Sequence, residues 1–414
     1  MKYLVLLLIL AFSSSLMAED KIDQLIKDLG ANDPNVRTSA GYRLQKIGFP
    51  ARPLLTEALK SPDTEIRLQA AKLLDRLTLE EAWLPRRVTL KEKAITSEIL
   101  SKLAEQSGNR LYIGNPYGAI KDIEIEVDYS DIPYWQAIDD VCRKTQNKIR
   151  PHYDAQFPGM VVSEGDPGDY TTAYSGPVRG LITNARRIFS EDLNYENINS
   201  ELVNKFTIGF QFSWENRFKL IAYAKNPKFV EGVTDNELPL TAVNSSNSEQ
   251  VVTDGTRQIS ASIDLNPIPL SAKLIKTLAV DWEVIGLSAP SVLEISLEPD
   301  RVSSQDDLAA QVKSIDFDGT KYTITVLIRR DLAIPDTSDI LLHECEIEVI
   351  DDQGKLFDTN DSFSLVEQGV QAKVTFQADN NKPKLVKLHY YRHRTRRDVR
   401  LIFKDVPLPT ARPE

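Results

Sequence analysis

Residues 125–138 read I-E-V-D-Y-S-D-I-P-Y-W-Q-A-I, and this stretch decides the first α/β region of the chain. Ile123, Ile125 and Val127 alternate with Glu124 and Glu126, the period-two pattern of a half-buried strand. Pro133 then opens a helix, because its missing N–H would have no helical partner in the first turn. Trp135, Ile138 and Val141 supply that helix with an apolar stripe. Tyr134 and Trp135 form an aromatic pair at its start. The expectation is Trp135 in the core and Tyr134 exposed, as a contact for a partner.

Working outward, Arg87–Leu90 reads as a short strand and Ile95–Gln106 as a helix. Ile99, Leu100 and Leu103 point inward, and Gly108 is placed to cap the helix. Strands follow at Arg110–Gly114 and, beyond the second helix, at Lys148–His152. The order β-α-β-β-α-β over 85–157 predicts two helices on one face of a small sheet. V-T-L at 88–90, E-Q-S-G at 105–108, L-Y-I at 111–113 and the 125–138 stretch resemble the short N-terminal module of secretins and TonB-dependent receptors. In those families the module is a protein–protein or signalling domain, so the resemblance implies binding rather than catalysis. Nothing in the chain resembles a secretin pore or a receptor barrel.

Residues 19–84 are helical by pattern. Ile22, Leu25, Ile26 and Leu29 recur at helical spacing, as do Val36, Ala40, Leu44 and Ile47 after Asp33-Pro34. A third helix follows Pro53, and a fourth carries Ile66, Ala70, Leu73, Leu74 and Leu77. Asp33, Val36, Arg37, Ala40 and Leu44 reappear 30 residues later as Asp63, Ile66, Arg67, Ala70 and Leu74. The signatures D-x-x-V-R-x-x-A and D-x-x-I-R-x-x-A resemble HEAT-like repeats, families that act mostly as protein-binding or spacer elements.

From residue 158 to the end the chain is β-rich. Phe206-Thr207-Ile208-Gly209-Phe210-Gln211-Phe212-Ser213-Trp214 alternates strongly, and further alternating runs recur to Arg400–Lys404. Many short strands with polar turns predict antiparallel sandwiches. The expected split is an irregular β-rich domain over 158–265 and a β-sandwich over 266–414. The fold class expected is therefore multidomain α+β: HEAT-like helices, a small β-α-β-β-α-β module and antiparallel sandwich regions.

Residues 1–18, MKYLVLLLILAFSSSLMA, read as a signal peptide: Lys2, an apolar core from Tyr3 to Phe12, then Ser13–Ser15 and a cut near Ala18. The apolar run is shorter than the ~20 residues of a membrane span. The expected location is the periplasm or outside the cell, with no transmembrane segment after cleavage. Formal net charge is -10, unfavourable for nucleic acid. The one dense basic run, 392–397, reads as a solvated strand or loop. Cys142 and Cys345 fall in separate regions, so a disulfide is not indicated. Two cysteines and four histidines, all scattered, show no metal or haem spacing.

The order of parts carries a second resemblance. The signal peptide, the α/β module, Y-S-G-P-V-R at 174–179, F-S-W-E-N-R at 212–217 and F-K-D-V-P-L-P at 403–409 resemble a group of uncharacterised exported proteins of planctomycetes and related bacteria. Asn216 stands where that group more often has Pro. The resemblance supports architecture and export and assigns no activity.

No esterase elbow, zinc helix, phosphate loop or dinucleotide fingerprint occurs. His343-Glu344 lacks the later histidine of a zinc helix. Asp318-Gly319, beside Asp316, reads as a hairpin turn rather than half of a glycosidase pair, and Asp351-Asp352-Gln353-Gly354 is turn-like. Trp214-Glu215-Asn216-Arg217 has the most functional look: Trp214 could stack on a sugar or fill a core, and Glu215 and Arg217 could bind a ligand or pair across a sheet. The favoured reading of that segment is a fold-defining cluster, and Tyr134, Trp214, Glu215 and Arg217 stand as a candidate interaction surface. No cofactor and no catalytic residue is assigned. Three functions compete: a non-enzymatic envelope scaffold bound to another protein, a carbohydrate- or peptidoglycan-binding protein with a coplanar row of exposed Trp or Tyr, and a hydrolase with two acids in a cleft.

Overall fold

The computed structural model describes residues 21–114, 118–152, 159–194, 199–215, 218–243, 248–252, 256–305, 308–330, 345–367, 369–377 and 382–409. Residues 1–18, expected to be a signal peptide, and Asn216, Arg217, His343-Glu344 and the Asn244–Asn247 stretch lie outside these residues. The chain divides into two compact units, Met1–Leu84 and Pro85–Glu414.

The first unit is helical. Residues 21–28 form α1, followed by α2 (Pro34–Ile47), α3 (Arg52–Ala58) and α4 (Thr64–Ala82). The residues matched across the 30-residue repeat take matching roles. The Asp33 carboxylate caps α2 by accepting from Asn35 N–H at 2.8 Å. The Asp63 carboxylate caps α4, accepting from Glu65 N–H at 2.8 Å and Ile66 N–H at 3.3 Å. Arg37 donates to the Ala31 carbonyl at 2.7 Å, and Arg67 to the Ser61 carbonyl at 2.7 Å. Each repeat thus fastens its entering loop with one Asp and one Arg. Leu25, Leu29, Leu44, Leu55, Ala70 and Leu73 close the core between the helices.

The second unit begins with β1 (Arg87–Ile95), α5 (Thr96–Ser107), β2 (Leu111–Ile113), β3 (Glu124–Pro133), α6 (Tyr134–Thr145), β4 (Asn147–His152) and β5 (Gly159–Glu164). Gly108 caps α5 in the left-handed conformation, at φ 69. The β-α-β-β-α-β order is present, but the single sheet expected from it is not. β1 pairs with β3 alone, while β2, β5 and β4 form a second sheet in which β2 and β5 run parallel. Helices α5 and α6 share one core with both sheets, from Val88 and Val127 on one to Met160 and Val162 on the other. The region also runs past residue 157, because β5 completes it. Its buried Met160-Val161-Val162 run has no polar alternation, the pattern of a strand covered on both faces.

The rest is β-sheet: β6 (Thr172–Ser175), β7 (Val178–Asn194), β8 (Asn199–Trp214), β9 (Lys219–Ala224), β10 (Lys228–Thr234), β11 (Glu249–Val251), β12 (Gln258–Leu265) and β13 (Leu274–Ile295). There follow β14 (Val302–Gln305), β15 (Leu308–Phe317), β16 (Lys321–Arg330), β17 (Glu346–Asp351), β18 (Thr359–Val366), β19 (Gly369–Gln377) and β20 (Pro383–Pro407). Strands β12-β8-β7-β6 form one sheet and β14-β15-β16-β19-β18 another. Between them runs the sheet β11-β9-β13-β20-β17, with β10 also on β13.

That middle sheet overturns the boundary expected near 265. Strands β9, β10 and β11 precede residue 265 yet hydrogen-bond in the sheet of β13 and β20. β13 and β20 pair from Leu274↔Pro407 to Ile295↔Val386. One end of this ribbon packs on the β8 sheet: Phe210 meets Phe403 at 5.5 Å and Phe212 stacks on Trp282 at 4.6 Å. The other end contributes Leu293, Ile295, Val386 and Leu388 to a core shared with Val326, Val374 and Phe376 of the β16–β19 sheet. Two sandwiches therefore share two strands, and no cut in sequence separates them.

Candidate functional site

The residues singled out in the sequence converge where α6 meets the first sandwich. Helix α6 buries Tyr134, Trp135, Ala137, Ile138, Val141 and Cys142, and among them the charged Asp139, only 6 % exposed. Asp139 lies four residues from Trp135 and three from Cys142, so the helix turns it to the same face. A carboxylate there needs partners.

The partners come from the Y-S-G-P-V-R segment. Gly176, at φ 54, and Pro177 form the two-residue loop between β6 and β7, where Ser175 pairs with Val178. The hairpin sets Tyr174 and Arg179 opposite each other on one face. Arg179 donates from Nε and Nη2 to the two Asp139 oxygens at 2.8 and 2.7 Å, and Tyr174 OH donates to Asp139 at 2.7 Å. The guanidinium also lies over the Trp135 ring, 5.7 Å from its centroid. Burial opposes the Arg179 charge, and Asp139 overcomes that, raising the guanidinium pKa. Burial also pushes the Tyr174 phenol up, as Asp139 does.

The W-E segment closes the same joint. The Pro177 carbonyl accepts from Trp135 Nε1 at 3.1 Å and from Glu215 N–H at 3.0 Å. Glu215, 1 % exposed, accepts from Arg86 N–H at 3.0 Å and from the Asn109 amide at 3.4 Å. The Arg86 carbonyl in turn accepts from Tyr134 N–H at 2.7 Å. Trp214 is fully buried and packs on Trp282, ring centroids 6.3 Å apart.

The structure thus corrects the expected interaction surface. Tyr134, at 1 % exposure, is as buried as Trp135, and Trp214 and Glu215 are core residues. The physical reason is that each faces a second layer the sequence pattern did not reveal: the α/β layer covers the end of the sandwich and the sandwich covers the start of α6. Sequence reading missed Asp139, Arg179, Tyr174 and Asn109. One signal was available, an acid on the apolar stripe of α6. Chemically the cluster is spent. Both Asp139 oxygens accept charge-assisted bonds, and both Glu215 oxygens are engaged in the interior.

Beside the buried pair opens a polar cavity of about 130 Å³. Arg143, Lys148, Arg179, Asp139, Asp166 and Gln211 bring its polar groups, with Ile149 and Leu181 among its apolar walls. Cys142 also lines it, and burial pushes that thiol up to about 12. Cys142 and Cys345 are both buried free thiols.

Elsewhere, Asp318 caps its hairpin turn by accepting from Thr320 and Lys321 N–H at 2.9 and 2.8 Å. Asp351 does the same for Gln353 and Lys355 at 2.9 and 2.7 Å. In the basic run, Arg396 pairs with Glu249 at 2.7 Å and with Glu283 on the sheet surface. Among the described residues no group of three or more His, Cys, Asp or Glu is placed to hold a metal, and no helix is long and apolar enough to cross a membrane. Compared with protein-family models, with curated proteins and with solved structures, the chain matches none.

Proposed function

We propose that the protein is a non-enzymatic binding or scaffolding component of the bacterial cell envelope, exported by the leader at 1–18. The helical unit is the part that meets another protein in this reading, in keeping with its HEAT-like signatures, and the shared-strand sandwiches are its stiff support. One observation carries the proposal. Among the described residues, six of the twenty exposed large apolar ones lie at or before residue 84: Val36, Tyr42, Phe49, Leu59, Leu68 and Leu84. Tyr42 is 66 % exposed and Leu68 48 %. Val36, Tyr42 and Leu68 stand on α2 and α4, and exposed aromatic residues such as Tyr42 are enriched at protein contacts. The glycan reading draws less support, since all four tryptophans are buried. The exposed tyrosines among the described residues, Tyr42 and Tyr170, sit on a helix and in a loop rather than along a sheet.

The test is in-cell photocrosslinking from position 42 or 68, with Phe317, an exposed residue of the other unit, as the comparison site. The expected result is one reproducible protein adduct from 42 and 68 that is absent from 317. Glycan-linked material alone, or no adduct, would overturn the reading.

A further inference from the structure

We infer that the cavity beside Asp139 and Arg179 is a binding site for a small monocarboxylate group. Arg143, Lys148 and Arg179 line the cavity against Asp139 and Asp166, three cations and two anions. Asp139 and Arg179 neutralise one another through their paired bonds. Asp166 turns one oxygen to Gly168 N–H at 2.9 Å, fixing its own loop. Arg143 and Lys148 make no ion pair among the described residues, and both are exposed at the mouth. On the same helix, by contrast, Lys144 is paired with Asp140 at 2.8 Å. Arg143 also feels the Asp140 charge without pairing with it, so in a chain of net charge -10 two cations that make no ion pair among the described residues converge on one polar hollow.

The balance of one net positive charge suits a monoanion and would be overshot by a dianion such as phosphate. Size agrees. The cavity, about 130 Å³, is well below the ~300 Å³ at which drug-sized pockets begin. That is room for a carboxylate with a short alkyl stub. The carboxylate would lie between the Arg143 fork and Lys148, with the Gln211 amide as a neutral donor. The stub would lie on Ile149 and Leu181. Two sources share this chemistry, a free short-chain acid and the C-terminal carboxylate of a peptide. The inference stands apart from the scaffold reading, since it uses none of the helical unit's surface.

The test is saturation-transfer NMR on the purified full-length protein. The probes are propionate, inorganic phosphate, and an acetylated alanine dipeptide with a free or an amidated C-terminus. The expected result is millimolar binding of propionate, weaker binding of phosphate, and binding about tenfold weaker in the double variant Arg143→Gln/Lys148→Gln. Lys144→Gln should leave binding unchanged. Both altered side chains are exposed, and a circular dichroism melt matching the parent shows that the variant is folded. Tighter binding of the free than of the amidated dipeptide, at or above propionate affinity, assigns a chain terminus. Binding of propionate alone assigns a free acid. No propionate binding to the parent, equal binding in the double variant, or preference for phosphate would overturn the proposal.

Discussion

Asp139→Ala would leave the Arg179 guanidinium, 8 % exposed, with its charge and no carboxylate. The structure sets the scale of the effect. Three hydrogen bonds end on Asp139, two of them from the guanidinium at 2.8 and 2.7 Å and one from Tyr174 at 2.7 Å. Removing one partner of a buried ion pair costs about 3–5 kcal/mol, because the other charge stays in the interior unpaired. The loss falls on the joint between α6 and β7, so the suitable assay is hydrogen–deuterium exchange read by mass spectrometry over residues 134–145 and 172–182. At ~1.4 kcal/mol per decade, protection there should drop by about a hundredfold to several thousandfold. Helices α2 and α4, in the other unit, should exchange as before. The double variant Asp139→Ala/Arg179→Met should recover most of the lost protection, since it removes the stranded charge along with its partner. A drop of less than about tenfold in the single variant, or a double variant as unprotected as the two singles combined, would refute the account of this pair as a fastener.

Three further outcomes are expected. Asp63→Ala should cost the helical unit about 1–2 kcal/mol and Asp33→Ala somewhat less, because Asp63 caps two N–H groups and Asp33 one; exchange over α4 and α2 reports each separately. Gly286→Ala in β13 would set a methyl 2.4 Å from the buried Phe218 ring, so a loss of about 1–3 kcal/mol is expected in urea unfolding, and an unchanged midpoint would show that Phe218 yields freely. Cys142 should resist Ellman's reagent in the native state at neutral pH and react on unfolding. Its thiol is raised in the fold, so its stabilising contribution is complete below the unfolded thiol's ~8.5. That contribution should fade as pH rises toward the folded value of about 12, and Cys142→Ala should flatten that part of the pH profile.

Much of the local structure was legible because its causes are local. The caps at Asp33 and Asp63, the left-handed Gly108 and the alternation along β8 follow from neighbours within a few residues, and the chain spells them out. The joint was half legible. Asp139 on the apolar stripe of α6 announces a buried partner, but Arg179 is 40 residues away and reaches it only through the Gly176-Pro177 turn. Tyr134 was misplaced for the same reason: a side chain's exposure depends on which layer covers it, and that layer comes from another part of the chain.

By itself the sequence determined the helical repeat, the strand and helix order of the α/β region and the β-rich character of the C-terminal remainder, since periodicity, caps and turns act over a few residues. It also bounded chemistry, by lacking the spacings that familiar catalytic and metal sites require. Only tertiary structure decided that the α/β region uses two sheets, that β13 and β20 serve two sandwiches at once, and that the W-E and Y-S-G-P-V-R segments meet in one buried joint. Pairing partners far apart in sequence are chosen by the global burial of apolar faces and the satisfaction of buried charge. No local pattern encodes those sums.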